Sequence, residues 1–350
     1  MKIHEKYILR CIQIAKNGLG TTFPNPMVGA VIVYNNSIIG EGYTAPYGGA
    51  HAEVNAINSV QDKSLLIKAT LYVTLEPCSH FGKTPPCADF IIKHKIPNVI
   101  ISLKDPHEKV AGAGIQKLKD AGCTVVSGIL EKECRAHHKR FLCYHEKKRP
   151  YVILKWAETN DGFIAPTNDQ RNTKAEPFWI TSNKARQLVH QWRSEEQGIL
   201  IGTNTVIADN PKLDVRNWHG KPPIRIVIDP NLRINSTYAI FDGAVQTIII
   251  TAKVNKNTAI KGVIYEEIDF NTNVAQQLCN ILYKHSILSV IIEGGTQTLE
   301  TFITAKLWDE ARVFTGTSNF SKGIKAPLFT GKLSSKTCHG KDTLTIYTND

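Results

Sequence analysis

Two α/β domains in tandem are the fold class that this sequence predicts, and three observations carry the prediction. Strand-like and helix-like segments alternate through both halves of the chain. The strands of the second half are β-branched and almost continuously apolar, as in a sheet covered on both faces. At 350 residues the chain exceeds one ordinary core, and the polar "EKKRP" at 146–150 supplies a break ending in proline. One domain is therefore placed at residues 1–146 and a second at 150–350.

In chain order, residues 5–17 carry apolar positions at helical spacing (Ile8, Leu9, Ile12, Ala15) and predict the first helix. "VGAVIVY" (28–34), "ATLYVTL" (69–75) and "NVIISL" (98–103) predict strands. "CTVVSGIL" adds another after a helix that closes at Gly122. A mostly parallel sheet is expected. The second half restarts with the strand "YVILKWA" (151–157) and the helix "TSNKARQLVHQWR" (181–193). Strands at "GILIG", "IRIVID", "TIIIT" and "SVIIEGG" follow, and "APTNDQRNTKAEP" (165–177) reads as a polar loop.

With 42% hydrophobic and 21% charged residues the chain is globular. Its first residues, "MKIHEKYILRCIQIAKNG", interrupt every apolar run with charge and offer no signal-peptide core. No stretch reaches the roughly eighteen apolar residues that span a bilayer, so a cytoplasmic, membrane-free protein is the expectation. Eight cysteines without regular spacing indicate reduced thiols. Six of them (Cys11, Cys123, Cys134, Cys143, Cys279, Cys338) read as small apolar fillers. The net charge of +11 suits nucleic acid or phosphorylated small molecules. The run at 135–150 is the nearest to a basic stretch interleaved with aromatics, and it reads better as a solvated helix end and linker.

The chemistry concentrates at "HAEV", from His51, and at "EPCSHFGKTPPC", from Glu76 to Cys87. A catalytic zinc takes three protein ligands and leaves one position open. His51, Cys78 and Cys87 are the candidates. His51 precedes a helical pattern (Val54, Ile57, Val60) and is expected in that helix's first turn. Cys78 follows a strand, where α/β sheets place their sites. Pro85 and Pro86 put Cys87 at a second helix start, where a thiolate is favoured. Glu53 is the candidate proton shuttle, by match to the role a non-ligand glutamate plays in zinc deaminases. His80 and His94 are rival ligands, and a purely structural zinc is the rival site. Ordinarily the second cysteine follows the first by three places; here the gap is nine, an inserted loop carrying Lys83.

"TTFPNPMVGAVIV", "HAEVNAI", "TLEPCSHFGKTPPC" and "DPHEKVAGAGI" together resemble the riboflavin-biosynthesis deaminase–reductase family. The resemblance continues through "WITSNKARQLVHQWR", "VIADNPKLDVR" and "IIEGG" and covers nearly the whole chain. It implies a cytidine-deaminase-like α/β/α domain followed by a dihydrofolate-reductase-like α/β domain. The implied first activity is hydrolytic removal of the 2-amino group of a diaminopyrimidinone ribotide 5′-phosphate. The implied second is NADPH-dependent reduction of ribosyl to ribityl. By position, Asn25, Lys83 and Asp105 match substrate-holding residues of the deaminase.

No GxGxxG fingerprint is present. A strand ending at Glu293, two glycines and the helix "TQTLETFITAK" offer instead a turn whose free amides can take a pyrophosphate. The resemblance places Ala157, Trp179, Thr205, Asp209 and the turn Gly295, Thr296, Gln297, Thr298, Leu299, Glu300 and Thr301 near NADPH. It places Arg193, Leu213, Arg216 and Glu293 near substrate. Lys155 and Glu293 are candidates for polarising or protonating the sugar. Read without the family, Arg193 is an exposed partner of Glu195 or Glu196, and Trp179 a core residue. The chain departs from the family at Thr44 (commonly histidine), His107 (commonly asparagine), "TNDG" (commonly "SLDG") and Pro177 (commonly serine).

The partner implied is thus a phosphorylated pyrimidine, with zinc and NADPH as cofactors and homo-oligomerisation left open. The alternative is a zinc-dependent nucleic-acid deaminase with an appended binding domain, which the long cysteine spacing opposes.

Overall fold

The computed structural model describes residues 3–81, 85–106, 111–167, 171, 175–254 and 260–349. The chain divides into two compact units, Met1–Lys148 and Arg149–Asp350.

The first unit runs α1 (Ile3–Ala15), β1 (Gly29–Tyr34), β2 (Ser37–Tyr43), α2 (Ala52–Ser59), β3 (Thr70–Leu75) and α3 (Cys87–Lys93). It continues with β4 (Asn98–Leu103), α4 (Ala113–Asp120), β5 (Thr124–Ser127), α5 (Glu131–His137) and α6 (Lys139–Lys147). The strands form one sheet in the order β2-β1-β3-β4-β5. This sheet is mixed rather than mostly parallel: β1 runs antiparallel to both β2 and β3, and only β3–β4 and β4–β5 are parallel. The cause is a two-residue turn. Asn35 and Asn36 both hold positive φ (48° and 61°), the backbone of a tight hairpin turn that folds β2 straight back on β1.

Glycines set the layers. In the hairpin register Ala30 faces Gly42, so these two share one face of the sheet and Gly29 lies on the other. A Cβ on Gly29 would sit 2.0 Å from the Cys11 carbonyl oxygen of α1, and one on Gly42 would sit 2.3 Å from the Ala56 amide of α2. Hence α1 and α2 cover opposite faces, giving α/β/α layers. Gly42→Ala is expected to push α2 outward and destabilise this unit by about 2 kcal/mol. A lowered first melting transition accompanied by reduced zinc retention checks it; an unchanged melt would show that α2 shifts freely.

The second unit runs β6 (Tyr151–Glu158), β7 (Phe163–Ala165), α7 (Asn183–Glu195), β8 (Gly198–Gly202), α8 (Thr203–Asp209), β9 (Ile224–Ile228), β10 (Thr247–Thr251) and β11 (Val263–Glu267). Then come α9 (Val274–Lys284), β12 (Ser289–Ile292), α10 (Thr296–Thr304), β13 (Glu310–Thr315), β14 (Ile324–Lys325), β15 (Lys332–His339) and β16 (Asp342–Thr348). The large sheet is ordered β11-β10-β9-β8-β12-β6-β13-β16-β15. It is parallel from β11 through β13, and an antiparallel pair, β16 and β15, extends it. Val152, Leu154, Leu200, Ile248 and Ile292 of the strands pack on Leu278, Leu282, Leu299 and Phe302 of α9 and α10. Burial of such strands on both faces is why they read as unbroken apolar runs.

Two expectations change here. Residues 135–150 are not a solvated linker: α6 occupies most of them and buries Phe141, Leu142 and Cys143. Cys338 is exposed on the edge strand β15 rather than packed inside, whereas Cys11, Cys134, Cys143 and Cys279 are buried. Among the described residues, no helix is long and apolar enough to cross a membrane.

Candidate active sites

In the first unit, three protein atoms converge where a helix and a strand end meet. His51 caps α2 from just outside, one residue ahead of the first turn in which it was expected, with its backbone extended. Its Nδ1 lies 3.6 Å from Cys78 Sγ and 3.3 Å from Cys87 Sγ. Zinc bonds of about 2.3 Å to sulfur and 2.0 Å to imidazole, at a tetrahedral angle, set nitrogen and sulfur about 3.5 Å apart. The donor set therefore fits zinc. Among the described residues His51, Cys78 and Cys87 form the group whose ligand atoms all lie within 4.8 Å of one another. Neither His80 nor His94 belongs to it; His94 ends α3, with its ring against Phe90.

Local backbone makes the convergence. Cys78 follows β3, and Cys87 opens α3 with Pro86 as its cap. The Cys87 amide donates to Cys78 Sγ at 3.3 Å, and the Ala88 amide donates to the Cys78 carbonyl at 3.1 Å. The long insertion thus returns to the residue it left. Hydrogen bonding from Cys87 holds the Cys78 thiol down toward thiolate, with His51 assisting against burial. Glu53, in the first turn of α2, is 4% exposed. Burial pushes its carboxyl up to about 7, with the Cys78 charge acting the same way and His51 opposing. A carboxyl poised there can both take and return a proton near neutral pH.

The remaining candidates of this unit lie on connecting segments. Asn25 follows the cis Phe23–Pro24 bond, its amide donating to the Thr22 carbonyl at 2.9 Å. Asp105, 9% exposed, lies just beyond β4. Lys83 and His107 lie outside the described residues.

In the second unit, the polar candidates gather at the ends of the parallel strands. Glu293 leaves β12 and receives Arg193 of α7 through two bonds, Nε to Oε1 at 2.9 Å and Nη2 to Oε2 at 2.7 Å. Lys155 of β6 approaches the same carboxylate at 3.6 Å. All three side chains are at most 14% exposed. Arg193 is therefore no exposed partner of Glu195 or Glu196. Its Nη1 also reaches the Asp214 carbonyl at 3.4 Å, which His190 Nδ1 meets at 3.0 Å. Burial opposes ionisation of Glu293, yet Arg193 and then Lys155 outweigh it and hold the carboxyl at about 2. Burial lowers Lys155, against the pull of Glu293.

The neighbouring turn fits a nucleotide phosphate. Gly294 holds φ at +102°, a conformation that requires glycine. Space beside it is open: a Cβ there would meet nothing within 4 Å, and one on Gly295 only Thr205 Oγ1 at 3.6 Å. The first amides of α10, at Thr296, Gln297 and Thr298, have no intrahelical acceptor. Further along, the Leu299 amide is bonded to the Gly295 carbonyl and its side chain is core, while Glu300 points to solvent. The Thr301 hydroxyl turns back onto the Gln297 carbonyl at 2.8 Å. The usable donors are those of the first turn.

The model for the cytidine and deoxycytidylate deaminase zinc-binding region matches residues 1–103, and that for the RibD C-terminal domain matches residues 150–340. The riboflavin biosynthesis protein RibD of Aquifex aeolicus (strain VF5) is 36% identical over 331 residues, 92% of this chain and 89% of the relative. That of Bacillus amyloliquefaciens is 40% identical over 321 residues, 89% and 84% of the two chains. The chain belongs to the RibD family. A crystal structure of a diaminohydroxyphosphoribosylaminopyrimidine deaminase/5-amino-6-(5-phosphoribosylamino)uracil reductase from Thermotoga maritima superposes with a TM-score of 0.88 at 34% identity. It covers 99% of this chain and 98% of its own. RibD of Acinetobacter baumannii gives 0.89 at 31% identity, with the same coverage. The fold is that of RibD: a cytidine-deaminase-like unit and a RibD-type reductase unit, serving deamination and reduction in riboflavin biosynthesis.

Two departures from the RibD pattern have structural accounts. Thr44 is buried and locks the start of β1, its Oγ1 accepting from the Val28 amide and its own amide donating to the Val28 carbonyl, both at 3.0 Å. Thr159 of "TNDG" keeps a hydroxyl in the turn, bonded to Asp161 at 2.5 Å and to the Phe163 amide at 3.0 Å. Nothing in the structure explains Pro177. Of the remaining positions, Leu213 is buried at φ +53°, Arg216 pairs with Asp214, and Ala157 lies in β6 opposite Phe314. Trp179 is 52% exposed, with the Arg186 guanidinium 4.2 Å over its ring, so it is a surface platform rather than core. Sequence reasoning missed Arg171, whose Nη2 holds Asp209 at 2.8 Å, and Glu76, whose only signal was its place in the "EPC" motif.

Proposed function

We propose that the first unit removes the 2-amino group of a diaminopyrimidinone ribotide 5′-phosphate at His51, Cys78, Cys87 and Glu53. The second unit then reduces the ribosyl chain to ribityl with NADPH at the Gly294–Thr298 turn. The observation that carries the first half is the spacing of one imidazole and two thiols at zinc distances, beside a buried, non-ligand carboxyl at about 7. Zinc held by His51, Cys78 and Cys87 supplies the Lewis acidity that makes water a nucleophile near neutral pH. Glu53 takes the proton that water gives up and returns it to the departing amine. Asn25, Lys83 and Asp105 hold the ribotide, with the Lys83 ammonium as a point charge for its phosphate.

In the second unit the amides of Thr296, Gln297 and Thr298 bind pyrophosphate, and Thr205, Asp209, Ala157 and Trp179 flank the dinucleotide. NADPH supplies the hydride to the opened sugar. Glu293, ionised down to about 2, has no proton to give at working pH, so it orients the Arg193 and Lys155 cations. Lys155 is then the group that protonates or polarises the sugar, while Arg193, Leu213 and Arg216 line the substrate. Alanine at Lys155 should lower reductase kcat by about a hundredfold; unchanged turnover removes Lys155 from the mechanism.

One assay tests both halves. NADPH absorbance is followed as the protein meets the diaminopyrimidinone ribotide, before and after zinc stripping, with ammonia measured in parallel. The expected result is oxidation that disappears on stripping and returns with the deaminated substrate. Oxidation insensitive to zinc would contradict the order of steps. Ammonia without oxidation would leave the deaminase standing and remove the reductase assignment.

A further inference from the structure

We infer that Glu76 is a positioning residue of the deaminase: its carboxylate holds the Asp105 backbone and the start of α4 against the strand end that delivers Cys78. The inference rests on the reading of Asp105 as a substrate contact. Glu76 is 4% exposed and sits directly after β3. Its Oε2 accepts from the Asp105 amide at 3.2 Å and the Gly112 amide at 3.0 Å, and its Oε1 from the Ile115 amide at 3.1 Å. Its own amide donates to the Leu103 carbonyl at 2.9 Å, so the residue is tied to the end of β4 as well. One side chain thus gathers main-chain groups from both sides of the 105–112 connection.

The fit around it is close. A Cβ on Gly114 would lie 2.0 Å from the Pro77 carbonyl oxygen and 3.2 Å from Glu76 Oε1. Gly112, at φ +89°, takes a backbone that bends its amide back to the carboxylate without strain. The first turn of α4 therefore rests on the Pro77 peptide that leads into Cys78. Charge-assisted bonds of this type are about twice as strong as neutral ones. A structural role for Glu76 in shaping only the zinc ligand is the competing explanation, since Cys78 is two residues away.

Glu76→Gln separates them. A glutamine amide keeps one acceptor oxygen and turns a donor toward the remaining backbone N–H. Expected are a KM for the diaminopyrimidinone ribotide raised about tenfold, kcat within about threefold of wild type, full zinc content and unchanged reductase turnover. Glu76→Gln should add less than about twofold to the effect of Asp105→Ala, because both act through the same contact. Amide exchange at Asp105, Gly112 and Ile115 should quicken about tenfold, a readout independent of activity. Zinc loss with a matching fall in kcat, full additivity with Asp105→Ala, or unaltered exchange would each overturn the inference. If wild-type protein releases no ammonia, the deaminase reading fails, and the exchange measurement alone then decides what Glu76 holds.

Discussion

Glu53→Gln should abolish deamination, lowering kcat by about a thousandfold while zinc content and reduction of the deaminated pyrimidine stay at wild-type levels. The size follows from what the side chain does. Glu53 is buried in the first turn of α2, two residues after His51, and its carboxyl is raised to about 7 chiefly by that burial. A group at that value gains and loses a proton with little driving force either way, which suits passage from water to amine. Glutamine fills the same space and cannot carry the proton. Ammonia release and metal analysis on one preparation check the prediction. Deamination at the wild-type rate would instead favour a zinc module without a catalytic role.

Glu293→Gln should affect both the stability and the activity of the second unit. The carboxylate compensates Arg193 bidentately and Lys155 more distantly, and the three side chains are at most 14% exposed. Removing one partner of such a group leaves buried charge uncompensated, which costs about 3–5 kcal/mol. The sign of the pH dependence follows from the depressed carboxyl. A glutamate near 4.3 when unfolded and about 2 when folded contributes stability that is complete above roughly pH 4.5. That contribution is lost as pH falls toward 2. Denaturation of the full chain, following the transition of the second unit, should show a large gap between wild type and variant at pH 7 that narrows below pH 4. A gap that is constant with pH would mean that Glu293 is not held ionised. Reductase turnover should fall in parallel, because Arg193 and Lys155 lose the anchor that aims them.

The convergence of His51, Cys78 and Cys87, the candidate zinc ligands, was legible because its signals are local in sequence. "HAE" places a histidine at a helix cap with a glutamate in the first turn, and a proline pair starts the helix that Cys87 opens. The nine-position spacing of the cysteines kept local structure at both ends, so it could be read as an insertion. The strands of the second sheet were legible for a related reason: burial on both faces leaves an unbroken apolar run. The hairpin strand β2 was not, because "SIIGEGY" is shaped by the close approach of α2 to Gly40 and Gly42 rather than by its own propensity. The edge strand β15, "KLSSKTCH", is mostly exposed and carries no apolar alternation to find.

By itself, then, the sequence determined the α/β fold class of both halves and brought forward His51, Cys78 and Cys87 as candidate zinc ligands. These depend on residue type and short spacing. Only the tertiary structure decided which charges meet. Arg193 pairs with Glu293, one hundred positions away, rather than with the glutamates beside it in α7. Glu76 collects amides from Asp105, Gly112 and Ile115, and the Thr44 hydroxyl accepts from the Val28 amide. Electrostatic and hydrogen-bond partners are set by which strand ends the sheet order places side by side, and that order exists only once the chain has packed.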